Sequence, residues 1–198
     1  MKLAVIVGTT RQGRKTLQQA KWVFNTAKQT EGIDAELVDL KDYPMPFFDE
    51  PISPRYNPDR VIDPAAIPWL EKLESSDAYV FVTAEYNHSI AGVLKNALDY
   101  VTWEIQRKPA QVVSHGAAGG ARAASDLKEI LSESKAVPLP TYSPLAMAGM
   151  SDKIDEEGKL AEELKAAPYG PQIALESMLD DLKWYSDALT AAHAKTQP

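Results

Sequence analysis

Strand-like segments alternate with amphipathic segments along most of this chain, and that alternation is what most constrains its fold. The strand-like segments occupy residues 2–8, 35–40, 78–83, 110–114 and 137–145, the last of them interrupted by three prolines. Apolar side chains recur at helical spacing over residues 15–29, 90–101, 121–134 and 175–189. Strands that alternate with helices build right-handed βαβ units, so the sequence predicts one α/β domain over residues 1–198 with a parallel sheet covered on both faces.

Two segments depart from this alternation. Residues 43–68 hold seven of the fourteen prolines, which predicts a long irregular excursion. Such a loop either covers a functional site or partner or is an inert insertion, and we favour the first because long ordered loops are usually functional. Residues 151–168 are acidic and poor in apolar side chains, which indicates a solvated surface excursion rather than a site.

Composition excludes several classes of protein. The chain contains no cysteine, which excludes disulfide scaffolds, zinc–thiolate sites, iron–sulfur clusters and cysteine nucleophiles. The net charge of −7 argues against general affinity for nucleic acid or acidic lipid. No stretch approaches the ~20 apolar residues of a membrane span, and the apolar run near the N-terminus is too short for a signal peptide. We therefore expect a cytoplasmic protein without a nucleic-acid or membrane partner.

The first predicted loop is a candidate phosphate site. The first 30 residues contain six basic residues and no acidic one, although the whole chain is acidic. Within them, residues 8–16 (GTTRQGRKT) join a strand to a helix, whose exposed N–H groups and dipole favour an anion. Thr9 and Thr16 add hydroxyl donors, and Arg11 can add a bidentate charged contact. The alternative is an ordinary turn whose basic side chains are solvated.

The kind of phosphate is less constrained. The spacing approaches the nucleotide-binding pattern GxxxxGK[ST], but Arg14 stands between Gly13 and Lys15 and shifts the lysine by one position. The dinucleotide fingerprint GxGxxG is absent, because Gly8 is followed by two threonines. A nucleotide-binding protein of the phosphate-loop type therefore stays an alternative with little support.

Two further loops complete a resemblance. Residues 85–89 (EYNHS) follow the third strand, residues 94–100 (LKNALDY) lie in the next helix, and residues 115–122 (HGAAGGAR) follow the fourth strand. Together with the first loop, they make roughly residues 1–145 resemble the NAD(P)H-dependent FMN reductases, which have a flavodoxin-like fold. The resemblance implies a three-layer sandwich whose five-stranded sheet has the order 2-1-3-4-5, with FMN bound where the loops after strands one and three meet.

The resemblance also implies which residues contact the cofactors. Thr9, Arg11 and Thr16 would hold the FMN phosphate, and Arg14 would join them or meet the nicotinamide nucleotide. Residues 85–87 would follow the isoalloxazine edge, and the glycines of the loop after the fourth strand would let the backbone approach the ring. The full set of implied contacts is Thr9, Arg11, Arg14, Thr16, Glu85, Tyr86, Asn87, Ser89, His115, Gly116, Gly119 and Gly120.

The implied activity is that of a flavoenzyme. NAD(P)H would reduce FMN, which would then reduce a flavin, a quinone or a similar small-molecule acceptor in ping-pong order. The cofactor supplies this chemistry, so no catalytic side chain and no metal site is expected. The arginines of the first loop favour NADPH over NADH. A homodimer or a dimer of dimers, formed through residues 43–68 and the helix after strand three, is implied as well. A flavin-binding electron carrier without a nicotinamide pocket is the alternative.

The chain departs from the family at two positions. The family commonly has proline before Glu-Tyr-Asn and just after Ser-Ile, whereas this chain has Ala84 and Ala91. Because proline restricts the backbone of a turn, its loss predicts a looser flavin-edge loop and weaker or more adaptable FMN binding.

Overall fold

Five parallel strands form the central sheet of the protein, whose computed structural model describes residues 1–140 and 150–194. The strands are β1 (Lys2–Val7), β2 (Asp34–Asp39), β3 (Ala78–Ala84), β4 (Pro109–His115) and β5 (Val137–Pro138). The helices are α1 (Thr16–Ala27), α2 (Ile67–Glu74), α3 (Gly92–Asp99), α4 (Ala121–Glu133), α5 (Glu162–Lys165) and α6 (Pro171–Ala194). The strand order is β2-β1-β3-β4-β5, so the predicted order is confirmed.

Each face of the sheet packs against its own layer of helices. The alternation of side chains along β1 places Leu3, Val5 and Val7 in a core shared with α1 and α6. Ala4 and Ile6 point to the opposite core, which α2, α3 and α4 cover. The predicted three-layer sandwich is therefore confirmed, with both faces of the sheet buried.

The last strand is shorter than the sequence predicts. β5 pairs with β4 only through Val137 and Pro138. The Leu139 N–H still donates to the Ala110 carbonyl at 2.9 Å, but Pro140 has no N–H with which to extend the ladder. The rest of the predicted strand, residues 141–145, lies outside the described residues.

Helix α2 was not anticipated, because the prolines around it indicated an irregular segment. Pro68 lies in the first turn of α2, where the missing N–H has no intrahelical acceptor to lose. Trp69 is fully buried, and its Nε1–H donates to the Ala97 carbonyl of α3 at 2.9 Å. The proline-rich excursion therefore ends in a helix that belongs to the core.

The remainder of that excursion is fastened to α3. The Asn96 side chain accepts from the Phe48 N–H at 2.9 Å and donates to the Pro46 carbonyl at 2.8 Å. Arg60 donates to the Tyr100 carbonyl at 2.8 Å and pairs with Glu50 at 2.7 Å. Specific hydrogen bonds and an ion pair thus hold the loop in one conformation against α3.

The acidic segment after residue 150 packs against α1. Ile154 and Leu160 are buried, and the Glu156 carbonyl accepts from Lys21 Nζ at 2.7 Å. A Cβ at Gly158 would lie 2.5 Å from the Lys21 Cβ, so only glycine allows this approach. The segment is therefore partly anchored, in contrast to the purely solvated excursion that its composition predicts. Within 1–140 and 150–194, no helix combines the length and hydrophobicity of a membrane span.

Candidate functional site

Three loops converge at the carboxyl edge of the sheet, beside the neighbouring ends of β1 and β3. They are the first loop, after β1, the third loop, after β3, and the fourth loop, after β4. The Arg11 guanidinium of the first loop lies over the Tyr86 ring of the third loop, 5.3 Å from the ring centroid. Thr16 Oγ1, at the start of α1, lies 2.8 Å from Nε2 of His115, which ends β4. Residues far apart in sequence are thus brought together where ligands of open parallel sheets bind.

The first loop offers donors without an internal acceptor. Thr16 is the first residue of α1, no acidic residue lies in its first turn, and no side chain caps the helix. The first N–H groups of an α-helix have no intrahelical acceptor. Thr9 is fully buried, yet its hydroxyl has no hydrogen-bond partner within the described residues. A buried hydroxyl without a partner, in the loop that leads to a helix N-terminus, makes the first loop a candidate anion site.

Arg14 is held within the protein. Its guanidinium donates to the Thr9 carbonyl and to the Asp39 carboxylate at the end of β2, and its side chain is 8% exposed. Each terminal nitrogen therefore already donates one hydrogen bond within the protein. Arg14 joins the first loop to the sheet edge, and we expect it to position the loop rather than to reach a ligand directly.

The third loop contains a tight turn in a rarely populated conformation. Tyr86 and Ser89 exchange two backbone hydrogen bonds of 2.9 and 3.0 Å. Between them, Asn87 and His88 have φ angles of 49° and 71°, as in a type I′ turn. Two consecutive non-glycine residues in the left-handed region are held only where the surroundings demand it, which is common at ligand-binding loops.

Glu85 ties the third loop to the fourth. Its N–H donates to the His115 carbonyl at 2.7 Å, and its carboxylate accepts from the Arg122 N–H at 3.1 Å and from the Arg122 guanidinium at 3.0 Å. Desolvation raises the pKa of Glu85, but these hydrogen bonds outweigh it and the net pKa is lowered. The carboxylate thus holds the start of α4, and its contribution to stability is lost as the pH falls through the lowered pKa.

The fourth loop requires glycine. Gly119 and Gly120 have φ angles of 78° and 76°. A Cβ at Gly120 would lie 2.7 Å from the His115 N atom, and one at Gly116 would lie 3.1 Å from the Glu85 Cβ. Gly120 thus lets the fourth loop fold back closely onto the end of β4, and Gly116 lets it lie close to the third loop.

A basic cleft adjoins the first loop. It has a volume of about 850 Å³ and is lined by Arg11, Lys15, Lys21 and Lys41 among others, with Glu156 as its acidic residue. Next to it, burial, together with the positive charge of Arg11, lowers the pKa of His115 to about 4. The ring of His115 is therefore neutral near pH 7, and the positive charge of this region belongs to arginine and lysine.

These features fit the phosphate and the flat ring of a flavin mononucleotide. The buried Thr9 hydroxyl and the uncapped start of α1 suit the phosphate, while the glycine loop and the Tyr86 turn provide closely approached backbone for a ring. The sequence does not reveal the roles of Asp39 and Arg122, which hold Arg14 and Glu85 in place. Asp39 ends a predicted strand and Arg122 lies in the quoted motif, but neither position by itself indicates its partner.

An open five-stranded parallel sheet of order 2-1-3-4-5 with helices on both faces defines the flavodoxin-like class of α/β proteins. The solved flavoenzyme FerB from Paracoccus denitrificans, an NAD(P)H:(acceptor) oxidoreductase, has this fold, with a TM-score of 0.72 and 22% identity over 94% of this chain and 97% of FerB. The chain belongs to the family of NADPH-dependent FMN reductases, whose model matches residues 1–149.

Curated relatives are oxidoreductases as well. An NAD(P)H-dependent FMN reductase of Schizosaccharomyces pombe is 36% identical over 84% of this chain and 86% of that protein. An NAD(P)H:quinone oxidoreductase of Solanum tuberosum is 29% identical over 66% of each. The predicted family and enzyme class are thus confirmed.

The alanine at the start of α3 gives a test of how far the family departures matter. Ala91 has a φ of −64°, close to the angle that proline imposes. Ala91→Pro should raise the free energy of unfolding by about 0.4–1 kcal/mol and tighten FMN binding. Proline at this φ reduces the number of conformations open to the unfolded chain and to the unliganded loop, so less entropy is lost on folding and on binding. Urea denaturation and FMN titration measure both effects.

Ala66→Pro is the matched control. Ala66 also precedes a helix, but its N–H donates to the Asp63 carbonyl at 2.9 Å, and proline would remove that bond. The control should destabilise the protein. If Ala91→Pro left FMN affinity unchanged, the departure from the family at this position would have no bearing on binding.

Proposed function

We propose that this protein is an FMN-dependent NAD(P)H oxidoreductase that turns over its two substrates in ping-pong order at one site. The observation that carries the proposal is the buried Thr9 hydroxyl, which has no partner among the described residues and lies in the loop that leads to the uncapped N-terminus of α1. When bound, FMN accepts a hydride from the nicotinamide and passes the electrons to an acceptor.

The chain's own residues would bind and orient the cofactor. Thr9, Thr16 and Arg11 would contact the phosphate, which is mostly a dianion above about pH 6. Tyr86, Asn87 and Ser89 would present the backbone of their turn to the ring edge, and Gly116, Gly119 and Gly120 would admit the ring beside β4. Glu85, His115 and Arg14 would support these loops through the hydrogen bonds described above.

The basic cleft beside the first loop supports NADPH as the preferred reductant. Arg11, Lys15, Lys21 and Lys41 line its walls, and a 2′-phosphate adds two negative charges that such a surface attracts. We propose a flavin or a quinone as the acceptor. The names of the family and of the Solanum tuberosum relative support these two classes.

An absorption spectrum tests the proposal directly. Protein incubated with FMN, desalted and then mixed anaerobically with NADPH should keep a flavin band that bleaches. A retained band that NADPH does not bleach would identify an electron carrier instead. A protein that retains no flavin and shows no FMN binding in a fluorescence titration would refute the proposed cofactor, and magnesium-dependent phosphate release from nucleotides would then be measured.

Arg11 should contribute strongly to FMN affinity. Arg11→Ala removes a charged donor from the first loop, and we expect FMN binding to weaken by about 1–3 kcal/mol. Fluorescence titration of FMN measures the change. Lys28→Ala, which removes the same charge at the far end of α1, is the control and should leave the affinity unchanged. Equal affinities of the Arg11 variant and the wild type would remove Arg11 from the site.

We also propose a homodimer, or a dimer of such dimers, formed through the excursion of residues 43–66 and helix α3. Phe47, Tyr56 and Val61, all within this excursion, are 85%, 80% and 92% exposed, and several large exposed apolar side chains in one segment support an interface there. Sedimentation should give a dimer at micromolar concentration, and Val61→Asp should shift it towards monomer. The conservative control Val61→Thr should not. A wild-type monomer would contradict the proposal.

A cytoplasmic location completes the proposal. The chain has no cysteine, which suits a reducing compartment, and its reductant would be cytoplasmic NAD(P)H. Cell fractionation with an antibody against the protein would test it, and recovery outside the cytoplasmic fraction would contradict it.

A further inference from the structure

A single hydrogen bond joins the first loop to the fourth at the proposed phosphate site. Thr16 Oγ1 and His115 Nε2 lie 2.8 Å apart. Thr16 is fully buried at the first position of α1, and His115 ends β4. The bond therefore connects the first residue of α1, a proposed phosphate contact, with the strand end that leads into the glycine loop.

The direction of this bond decides what Thr16 can do. A hydroxyl has one proton, and a neutral imidazole has one nitrogen that donates and one that accepts. If the Thr16 hydroxyl donates to Nε2, only oxygen lone pairs remain for a ligand. If Nε2–H donates to Oγ1, the hydroxyl proton is free. A phosphate dianion carries only acceptors, so it is compatible with the second arrangement alone.

We propose that His115 is a positioning residue for anion binding: with phosphate in the first loop, its Nε2–H donates to Thr16 Oγ1 and directs the Thr16 hydroxyl proton to a phosphate oxygen. This inference rests on the proposed function, because it takes the first loop as the phosphate site. No proton is gained or lost overall. The ring carries its one proton on Nε2 rather than on Nδ1, and the hydroxyl rotates.

The surroundings of His115 favour a neutral ring in this role. Burial and the adjacent Arg11 guanidinium disfavour the imidazolium. From the third loop, the Glu85 N–H donates to the His115 carbonyl, while the Glu85 carboxylate is paired with Arg122 of α4. The neighbouring charges are thus one guanidinium and one already neutralised pair, and the ring acts through the position of its single N–H proton.

Four variants measure the coupling through FMN affinity. His115→Leu removes the donor and should weaken FMN binding by about ten- to a hundredfold, the range of a hydrogen bond to a charged group. His115→Gln keeps a permanent side-chain N–H donor and should restore most of the affinity. Thr16→Val should weaken binding by itself. In the Thr16→Val background, His115→Leu should cause little further loss, because the two side chains act as one unit.

Nitrogen NMR of the ring gives a readout that a merely structural role would not move. The sequence has only three histidines, so the ring signals of ¹⁵N-labelled protein can be assigned by substitution. With saturating FMN, the His115 signals should be those of the neutral ring protonated at Nε2. An Nε2 that stays unprotonated in the FMN complex, or additive effects of the two substitutions, would overturn the proposal.

Sulfate separates failure of this inference from failure of the proposed function. Sulfate is a dianion throughout the neutral pH range, and its binding does not depend on contacts to a flavin ring. If the wild type binds sulfate but not FMN, the proposed cofactor is wrong, and the protonation of Nε2 in the sulfate complex decides the role of His115. If FMN binds but His115→Leu matches the wild type, the function stands and the role of His115 is refuted. A protein that binds neither anion would refute both.

Discussion

Replacing Gly120 by alanine should abolish FMN retention and lower the free energy of unfolding by about 2–4 kcal/mol. Two causes act together. The φ of 76° is a left-handed conformation that strains an alanine, and the new Cβ would lie within 2.7–2.9 Å of three backbone atoms of His115. Backbone atoms cannot relieve the clash by a change of rotamer, as a flexible side chain can, so the fourth loop must move away from β4. Desalting after FMN incubation and urea denaturation measure the two effects.

Gly92→Ala is the control for that experiment. Gly92 begins α3, and a Cβ there would meet no atom within 4 Å. This variant should keep its flavin and should be as stable as the wild type or slightly more so, because alanine favours a helix. A Gly120→Ala protein that retained FMN as well as Gly92→Ala would mean that the glycine loop does not shape the site.

Asp39→Asn should lower the free energy of unfolding by about 2–3 kcal/mol and weaken FMN binding at least tenfold. The substitution leaves the Arg14 guanidinium largely buried without its countercharge, since the two side chains are only 8% and 17% exposed. Arg14 would then no longer hold the Thr9 carbonyl against the sheet edge. The expected loss of affinity arises from the displaced loop, because Asp39 itself lies outside the proposed contacts. Urea denaturation and FMN titration measure the two effects.

Two further variants separate charge from position. Asp187→Asn breaks a helical ion pair whose side chains are far more exposed, at 32% and 59%, and should change stability by less than about 0.5 kcal/mol. The double variant Arg14→Met, Asp39→Leu should recover most of the stability, because an apolar pair replaces a buried ionic one, but not the FMN affinity. Recovery of both would show that Arg14 has no part in shaping the first loop.

Much of the site could be predicted because it lies in contiguous motifs. The loops after β1, β3 and β4 are each recognisable within a few residues, and parallel strands place them at one edge. The roles within the loops were less predictable. The resemblance places Glu85 along the flavin edge, and the structure adds that its carboxylate holds α4 through Arg122. The resemblance places Arg14 at the phosphate or at the nicotinamide nucleotide, and the structure adds that Arg14 is bound to Asp39. A motif shows which hydrogen-bond donors and acceptors a loop contains, but which of them pair with each other depends on distances in the folded chain.

The sequence by itself determined the class of this protein. Apolar periodicity, the order of strands and helices and three short motifs are local properties, and they led to the flavodoxin-like sheet and the reductase family. Only the tertiary structure decided which polar groups are already paired and which are left for a ligand. That distinction depends on contacts between residues such as Thr16 and His115, which are 99 positions apart and meet only after β1, β3 and β4 assemble. Burial makes these contacts energetically important, because a buried polar group without a hydrogen-bond partner is unfavourable until a ligand supplies one.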